Sequence, residues 1–241
     1  GLGLLDGTGW HCPYAQRRPG GIDNGDARCR ECSMLVKICG LTNELHVQVA
    51  VEAGADAVGF VFADSVRRVE PLQAARIASL VPETVKRVAV MLHPSNEEWQ
   101  AVFRDFVPDV LQTDVADFKN LDVPNSVESW PVYREGNTVP DTVLPGGNRV
   151  SGTVFSGAYL YEGARSGSGE TVDWSRAAEL AKVGNMILAG GLSVGNVAEA
   201  ISIVRPFGVD VSSAVESAPG EKDSQLIREF IIAAKAAENM L

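Results

Sequence analysis

Three glycine-bearing segments in the last third of the chain have the residue types of a phosphate grip. They are Ser166-Gly167-Ser168-Gly169, Leu188-Ala189-Gly190-Gly191 and Val209-Asp210-Val211-Ser212-Ser213. Glycine lets the backbone approach a ligand closely, and N–H groups at a turn or at the start of a helix bind an anion without a lysine. Two of the segments close apolar runs and are followed by helical sequence, which separates them from ordinary turns. The implied substrate is a phosphorylated small molecule. Upstream lie a thiol at Cys39, a guanidinium at Arg67 and carboxylates at Asp114 and Glu162. A thiolate can remove a proton, a protonated carboxyl can supply one, and a guanidinium can hold a second anionic group.

These groups matter together only if the fold gathers them at one place. From Met34 onward, short runs rich in β-branched residues recur at 35–39, 57–62, 85–91, 110–112, 130–133, 159–161, 186–188 and 208–211. Helical patterns, with apolar residues three and four apart, lie at 43–53, 72–80, 95–106, 175–182, 194–204 and 224–238. Strand then helix, repeated, implies parallel strands joined by crossovers. Eight candidate strands is the count for a parallel (β/α)8 TIM barrel, in which chemistry sits at the C-terminal ends of the strands and phosphate loops follow the seventh and eighth. An open doubly wound sheet also fits the alternation; the position of the phosphate segments favours the barrel. Between Gly136 and Ser151, Pro140, Pro145 and paired glycines argue against a full helix.

In a barrel, Cys39, Arg67, Asp114 and Glu162 follow or end the first, second, fourth and sixth strands. A free cysteine usually packs as a small apolar residue. Cys39 is marked instead by its strand end, by the glycine after it and by a mouth that holds phosphate. Asp210, inside a strand, reads first as a member of a hydrogen-bond network and second as a catalytic carboxylate.

With 241 residues, 45% hydrophobic and 22% charged, the chain can bury a substantial core. Its formal charge of −10 argues against a nucleic-acid partner, which needs clustered Lys and Arg. No apolar stretch approaches the roughly 20 residues needed to span a bilayer, and no basic flank with an apolar run opens the chain. Four cysteines, one of them alone in the body of the chain, agree with a reducing compartment. The expectation is a soluble cytoplasmic protein, monomer or homodimer.

Residues 1–33 differ in kind: they are glycine-rich, carry Arg17-Arg18 and show no period of 2 or 3.6. They read as a poorly ordered N-terminal extension, with Met34 as a plausible start and residues 34–241 as the catalytic domain. Cys29-x-x-Cys32 has thiolate-pair spacing, with Cys12 and His11 nearby. A second well-spaced pair is missing, so no metal site is expected.

Several motifs together identify a family. Lys37-Ile38-Cys39-Gly40-Leu41-Thr42, Gly54-Ala55-Asp56-Ala57-Val58-Gly59-Phe60, Ser65-Val66-Arg67, Gly167-Ser168-Gly169 with Asp173-Trp174, Leu188-Ala189-Gly190-Gly191-Leu192 with Asn196-Val197, and Val209-Asp210-Val211-Ser212-Ser213 with Val215-Glu216 and Lys222-Asp223 occur in one order. In this the chain resembles phosphoribosylanthranilate isomerase from about residue 34 to the end. The resemblance implies a cofactor-free Amadori rearrangement in tryptophan biosynthesis. N-(5′-phosphoribosyl)anthranilate would become 1-(2-carboxyphenylamino)-1-deoxyribulose 5-phosphate.

The resemblance further implies that Cys39 is the general base at C2′ and that Arg67 holds the anthranilate carboxylate. Gly167, Ser168, Gly169, Gly190, Gly191, Ser212 and Ser213 would bind substrate through the phosphate. The general acid falls at Glu162, where the family has aspartate. The family's His-Gly after the fourth strand is Thr113-Asp114 here, so Asp114 is either an alternative acid or, the favoured reading, a cap for the next helix. Ala214 stands where glycine is usual. These departures leave two competing readings: a sugar-phosphate-binding barrel with impaired or lost catalysis, and a barrel isomerase acting on a related ribulose phosphate.

Overall fold

The computed structural model describes residues 33–136, 148–150, 153–155, 157–163, 171–182 and 184–240. The chain divides into two units, residues 1–33 and 34–241. The extension, its cysteines and His11 lie outside the described residues, apart from Ser33.

Eight short strands carry the architecture: β1 (Leu35–Cys39), β2 (Ala57–Val61), β3 (Lys86–Val90), β4 (Val110–Asp114), β5 (Glu128–Arg134), β6 (Tyr159–Glu162), β7 (Met186–Leu188) and β8 (Gly208–Val211). They pair in parallel and in sequence order, and β8 closes on β1 through Lys37↔Asp210 and Ile38↔Val211. The result is a closed barrel. Among the described residues six helices lie between and after the strands: α1 (Glu44–Ala53), α2 (Pro71–Ile77), α3 (Asn96–Phe106), α4 (Trp174–Ala181), α5 (Val197–Val204) and α6 (Ser224–Glu238).

The helix ends are written in the sequence. Asn43 accepts from the His46 N–H at 2.9 Å to open α1, and left-handed Gly54 (φ 98°) ends it. Ser95 and Glu98 form a reciprocal capping box for α3. Asp173 and Asp223 cap α4 and α6.

Both faces of each strand are buried, so the strands read as near-continuous apolar runs with two destinations. Val36, Ile38, Val58, Phe60, Ala89, Leu111, Tyr133, Leu188, Val209 and Val211 face the helices. Leu35, Ala57, Val88, Val110, Trp130, Val132, Leu160 and Ile187 pack together inside the barrel. A period of two then puts Lys37, Cys39, Gly59, Gln112, Asp114, Arg134, Glu162 and Asp210 on the inner face, one layer nearer the C-terminal mouth. The barrel is therefore apolar at its base and charged at its top.

Some boundaries differ from expectation. β4 runs past the apolar run 110–112 to its expected end at Asp114, because Thr113 and Asp114 continue the ladder against Pro131 and Val132. The 72–80 pattern is α2 followed by a 3-10 turn at Ala78–Leu80. After β4 there is only a 3-10 turn, Asp117–Asn120. Of the segment expected to lack a full helix, residues 137–147 lie outside the described residues, and Asn148–Val150 pairs antiparallel with Thr153–Phe155. Among the described residues no helix is long and apolar enough to cross a membrane.

Candidate active site

Cys39 ends β1 with 6% exposure, between a cation beneath it and a turn above. Lys37, two residues back on the same face, is fully buried, and its Nζ donates to Asp210 Oδ1 at 2.8 Å. Both side chains fit because Gly59 faces them: a Cβ there would stand 3.0 Å from Cys39 Sγ and 3.2 Å from Lys37 Cε. Burial pushes the Cys39 thiol up, Lys37 pulls it down, Asp210 pushes it up, Lys222 pulls it down, and the net direction is up. Lys37 stays protonated: burial works against its charge, yet Asp210 and Cys39 outweigh it and raise the ammonium above its ordinary value. Lys37 beneath the thiol and Lys222 both oppose the effect of its burial, the kind of neighbour that favours a thiolate.

Gly40 follows in the left-handed region at φ 77°. A Cβ at this position would come within 2.6 Å of Arg67 Cδ, so only glycine lets the arginine stem pass the thiol. Arg67 donates from Nε (2.6 Å) and Nη2 (2.8 Å) to the two oxygens of Glu216. That fixes one edge of the planar guanidinium and leaves the Nη1 side for a second carboxylate. Its neighbour Arg68 is half exposed and pairs with Glu70 at 3.3 Å. Glu216 also accepts from Lys222 at 2.7 Å. Burial would raise this carboxyl, but Arg67 and Lys222 prevail and hold it down at about 2.

Across the mouth, Glu162 ends β6 with 9% exposure. Arg134 of β5 bridges it to Asp114 of β4: Nη1 donates to Glu162 Oε1, while Nη2 (2.8 Å) and Nε (3.1 Å) donate to Asp114 Oδ1. Burial pushes the Glu162 carboxyl up and Arg134 pulls it down; Asp210 and Asp114 push it up again, and the net direction is up. A carboxyl that resists ionisation can hold a proton for donation. The Lys37–Asp210 pair influences both Cys39 and Glu162, and so lies electrostatically between them.

Asp114 corrects an expectation. It is no helix cap: the turn after β4 has Ala116 at its N-cap position with no side-chain bond, and Asp114 instead accepts from Arg134. The turn is fastened by Asp117, which accepts from the Thr113 hydroxyl at 2.6 Å and lies 3.1 Å from His93 Nδ1. His93 Nε2 lies 3.7 Å from Asp114. Asp210 is in the network role read first from the sequence.

Where the sequence leads us to expect phosphate, Gly190 (φ 86°) and Gly191 (φ 64°) turn the chain after β7. Asn196 pins this turn, donating to Gly191 O at 2.9 Å and accepting from Ser193 N–H at 2.8 Å. Ser212 leads into a 3-10 turn at Ser213–Val215. Its hydroxyl donates to Cys39 O at 3.2 Å and its carbonyl accepts from Lys222 at 2.8 Å. Ala214, in the place of the usual glycine, is not in the left-handed region. Gly167, Ser168 and Gly169 lie outside the described residues.

Arg134 escaped sequence reasoning, although inward Trp130 and Val132 on the same strand imply that it faces the mouth. Lys37 and Glu216 lay inside family motifs without a role. Gln112 is buried on the inner face, and its Oε1 has no partner among the described residues.

Comparison with known proteins shows the family. Residues 36–233 match the family described as N-(5'phosphoribosyl)anthranilate (PRA) isomerase. A curated N-(5'-phosphoribosyl)anthranilate isomerase of Listeria welshimeri is 40% identical over 212 residues, covering 85% of this chain and all of that one. Among solved structures, a phosphoribosyl anthranilate isomerase in complex with reduced 1-(o-carboxyphenylamino)-1-deoxyribulose 5-phosphate is 30% identical. It superposes with a TM-score of 0.65, over 85% of this chain and all of that chain. A structure of monomers generated from the dimeric Thermotoga maritima enzyme is also 30% identical, with a TM-score of 0.66 over the same shares.

Proposed function

The chain belongs to the N-(5′-phosphoribosyl)anthranilate isomerase family, and we propose that Cys39 and Glu162 are the base and the acid of its Amadori rearrangement. Glu162 protonates the ring oxygen as the C1′–O bond breaks, and the anthranilate nitrogen supplies the electron pair for the resulting Schiff base. The Cys39 thiolate then takes the proton from C2′. The C–H pair becomes the C1′=C2′ bond, the imine pair returns to nitrogen, and the enol relaxes to the ketone. Acid and base are each worth about 10²- to 10⁴-fold.

Arg67, gripped on one edge by Glu216, offers its other edge to the anthranilate carboxylate. Backbone amides around Gly190, Gly191, Ser212 and Ser213, with those of 167–169, hold the phosphate and fix the pentose between the two rims. The reaction needs no cofactor and takes place in the cytoplasm, in a monomer or a homodimer.

The observation that carries this reading is the pairing of a lysine-flanked thiol with a buried carboxyl whose proton affinity is raised, both on the inner face of one mouth. Its test is loss of anthranilate fluorescence with purified chain and N-(5′-phosphoribosyl)anthranilate. The parent turns over, while Cys39→Ala and Glu162→Gln each lose about 10²-fold or more in kcat. A parent that binds product analogue without turnover is a sugar-phosphate-binding barrel and refutes the reading.

A further inference from the structure

We infer that Arg134, clamped by Asp114, positions the Glu162 carboxyl for proton donation, and that this clamp lets the chain use an acid one methylene longer than aspartate. The inference rests on Glu162 being the acid. Arg134 and Glu162 are directly paired across β5 and β6, and Asp114 pairs with Val132, two residues back on the face that carries Arg134. Three side chains from three adjacent strands therefore meet on the inner wall, with side-chain exposures of 16% (Asp114), 13% (Arg134) and 12% (Glu162).

A free glutamate has three side-chain torsions, and its carboxyl sweeps a wide arc. Arg134 removes that freedom only if the guanidinium is itself fixed. Asp114 fixes it by taking the Nε and Nη2 edge, which aims Nη1 at Glu162. An aspartate at 162 would stop one methylene short of the same nitrogen.

Asp114 has a second effect. A lone buried arginine would hold Glu162 as a permanent carboxylate, unable to donate. Asp114 neutralises that cation, so burial keeps the upper hand and Glu162 can carry its proton. The charged groups acting on Glu162 are Arg134 from β5, Asp114 from β4, Asp210 from β8 and Lys37 from β1.

The test is kcat and KM against pH for the parent, Glu162→Gln, Arg134→Met, Arg134→Lys, Asp114→Asn, Glu162→Asp and the Arg134→Met/Glu162→Asp pair. Protonated Glu162 is the active form, so its ionisation gives the alkaline limb of kcat. Arg134→Met lowers kcat about 10- to 100-fold with KM nearly unchanged. It also moves that limb to higher pH, because a cation favouring the carboxylate is gone. Asp114→Asn moves the limb the opposite way, since Arg134 then acts unopposed. Arg134→Lys recovers part of kcat and keeps the limb near the parent's. In the Glu162→Asp background, Arg134→Met costs no more than about twofold, because the shorter acid does not engage the clamp.

Loss of activity in Glu162→Gln with kcat and limb unmoved in Arg134→Met overturns the clamp alone. Equal losses for Arg134→Met in both backgrounds show a merely structural residue and also overturn it. Parent kcat in Glu162→Gln removes the acid itself, and with it the reading beneath. Should Arg134→Met not fold, the test rests on Asp114→Asn, whose limb moves to lower pH while that of Arg134→Lys stays near the parent's, and a limb unmoved in Asp114→Asn overturns the inference.

Discussion

The mouth of the barrel has two rims that solve the same problem differently. On the β8–β1–β2 rim, burial raises the Cys39 thiol and Lys37 and Lys222 oppose that rise, Lys37 paired with Asp210 and Lys222 sharing Glu216 with Arg67. On the β4–β5–β6 rim, one arginine lies between two carboxylates, Asp114 and Glu162. The first rim collects cations around a group that must lose a proton. The second collects anions around a group that must keep one. Burial raises both groups; Lys37 and Lys222 oppose that rise at Cys39, whereas at Glu162 the carboxylates Asp210 and Asp114 add to it against Arg134.

Removing Lys37 attacks the first rim hardest. Lys37→Met leaves Asp210 buried without its cation, a loss of about 3–5 kcal/mol that urea unfolding would measure. Thiolate is the active form of Cys39, so its protonation gives the acid limb of kcat. Losing a cation that lowers the thiol moves this limb to higher pH. The matched variant Lys37→Met/Asp210→Asn should regain most of the stability and part of the limb position, because Asp210, which raises the thiol, has gone with the lysine.

Glu216→Gln comes next. Arg67 loses its charged tether, and KM should rise about tenfold or more with kcat nearly unchanged, the range of a hydrogen bond to a charged group. The same carboxyl makes a pH prediction for folding. Its native value near 2 lies below the ordinary 4.5, so its stabilisation is complete above about pH 4.5 and is lost as pH falls towards 2. Glu216→Gln should flatten the acid-unfolding curve of the parent in that window.

Gly40→Ala is smaller in stability, about 1–2 kcal/mol for a left-handed alanine. Its clash with Arg67 Cδ should appear as a raised KM by displacing the guanidinium. The smallest effect belongs to the second rim's outer edge. His93 is two-thirds exposed and 3.7 Å from Asp114, so His93→Ala should change kcat by no more than about twofold.

The two rims also differed in how far the sequence revealed them. Lys37-Ile38-Cys39-Gly40 and Val209-Asp210-Val211-Ser212-Ser213 are contiguous, so a motif brings neighbours in space along as neighbours in the chain. The Arg134 cluster is spread over three strands, and nothing local joins residues 114, 134 and 162. The barrel itself was readable from alternation, since all eight strands lie within a few residues of their expected places. What local pattern could not supply was the partner of Asp114, because Arg134 reaches it only across the β4–β5 pairing. Asp114 read as a cap because aspartate before a turn usually is one. Only the neighbouring arginine makes it part of the wall.

The most direct test of the two-rim account separates the two proton transfers. Borohydride is added during turnover, so that any open-chain Schiff base is reduced and retained. In Cys39→Ala the acid still opens the ring but C2′ keeps its proton, and the reduced open-chain adduct should accumulate above the background without enzyme. In Glu162→Gln the ring stays closed and no such excess should form. Trapping in Glu162→Gln but not in Cys39→Ala would contradict the assignment of acid and base to their rims.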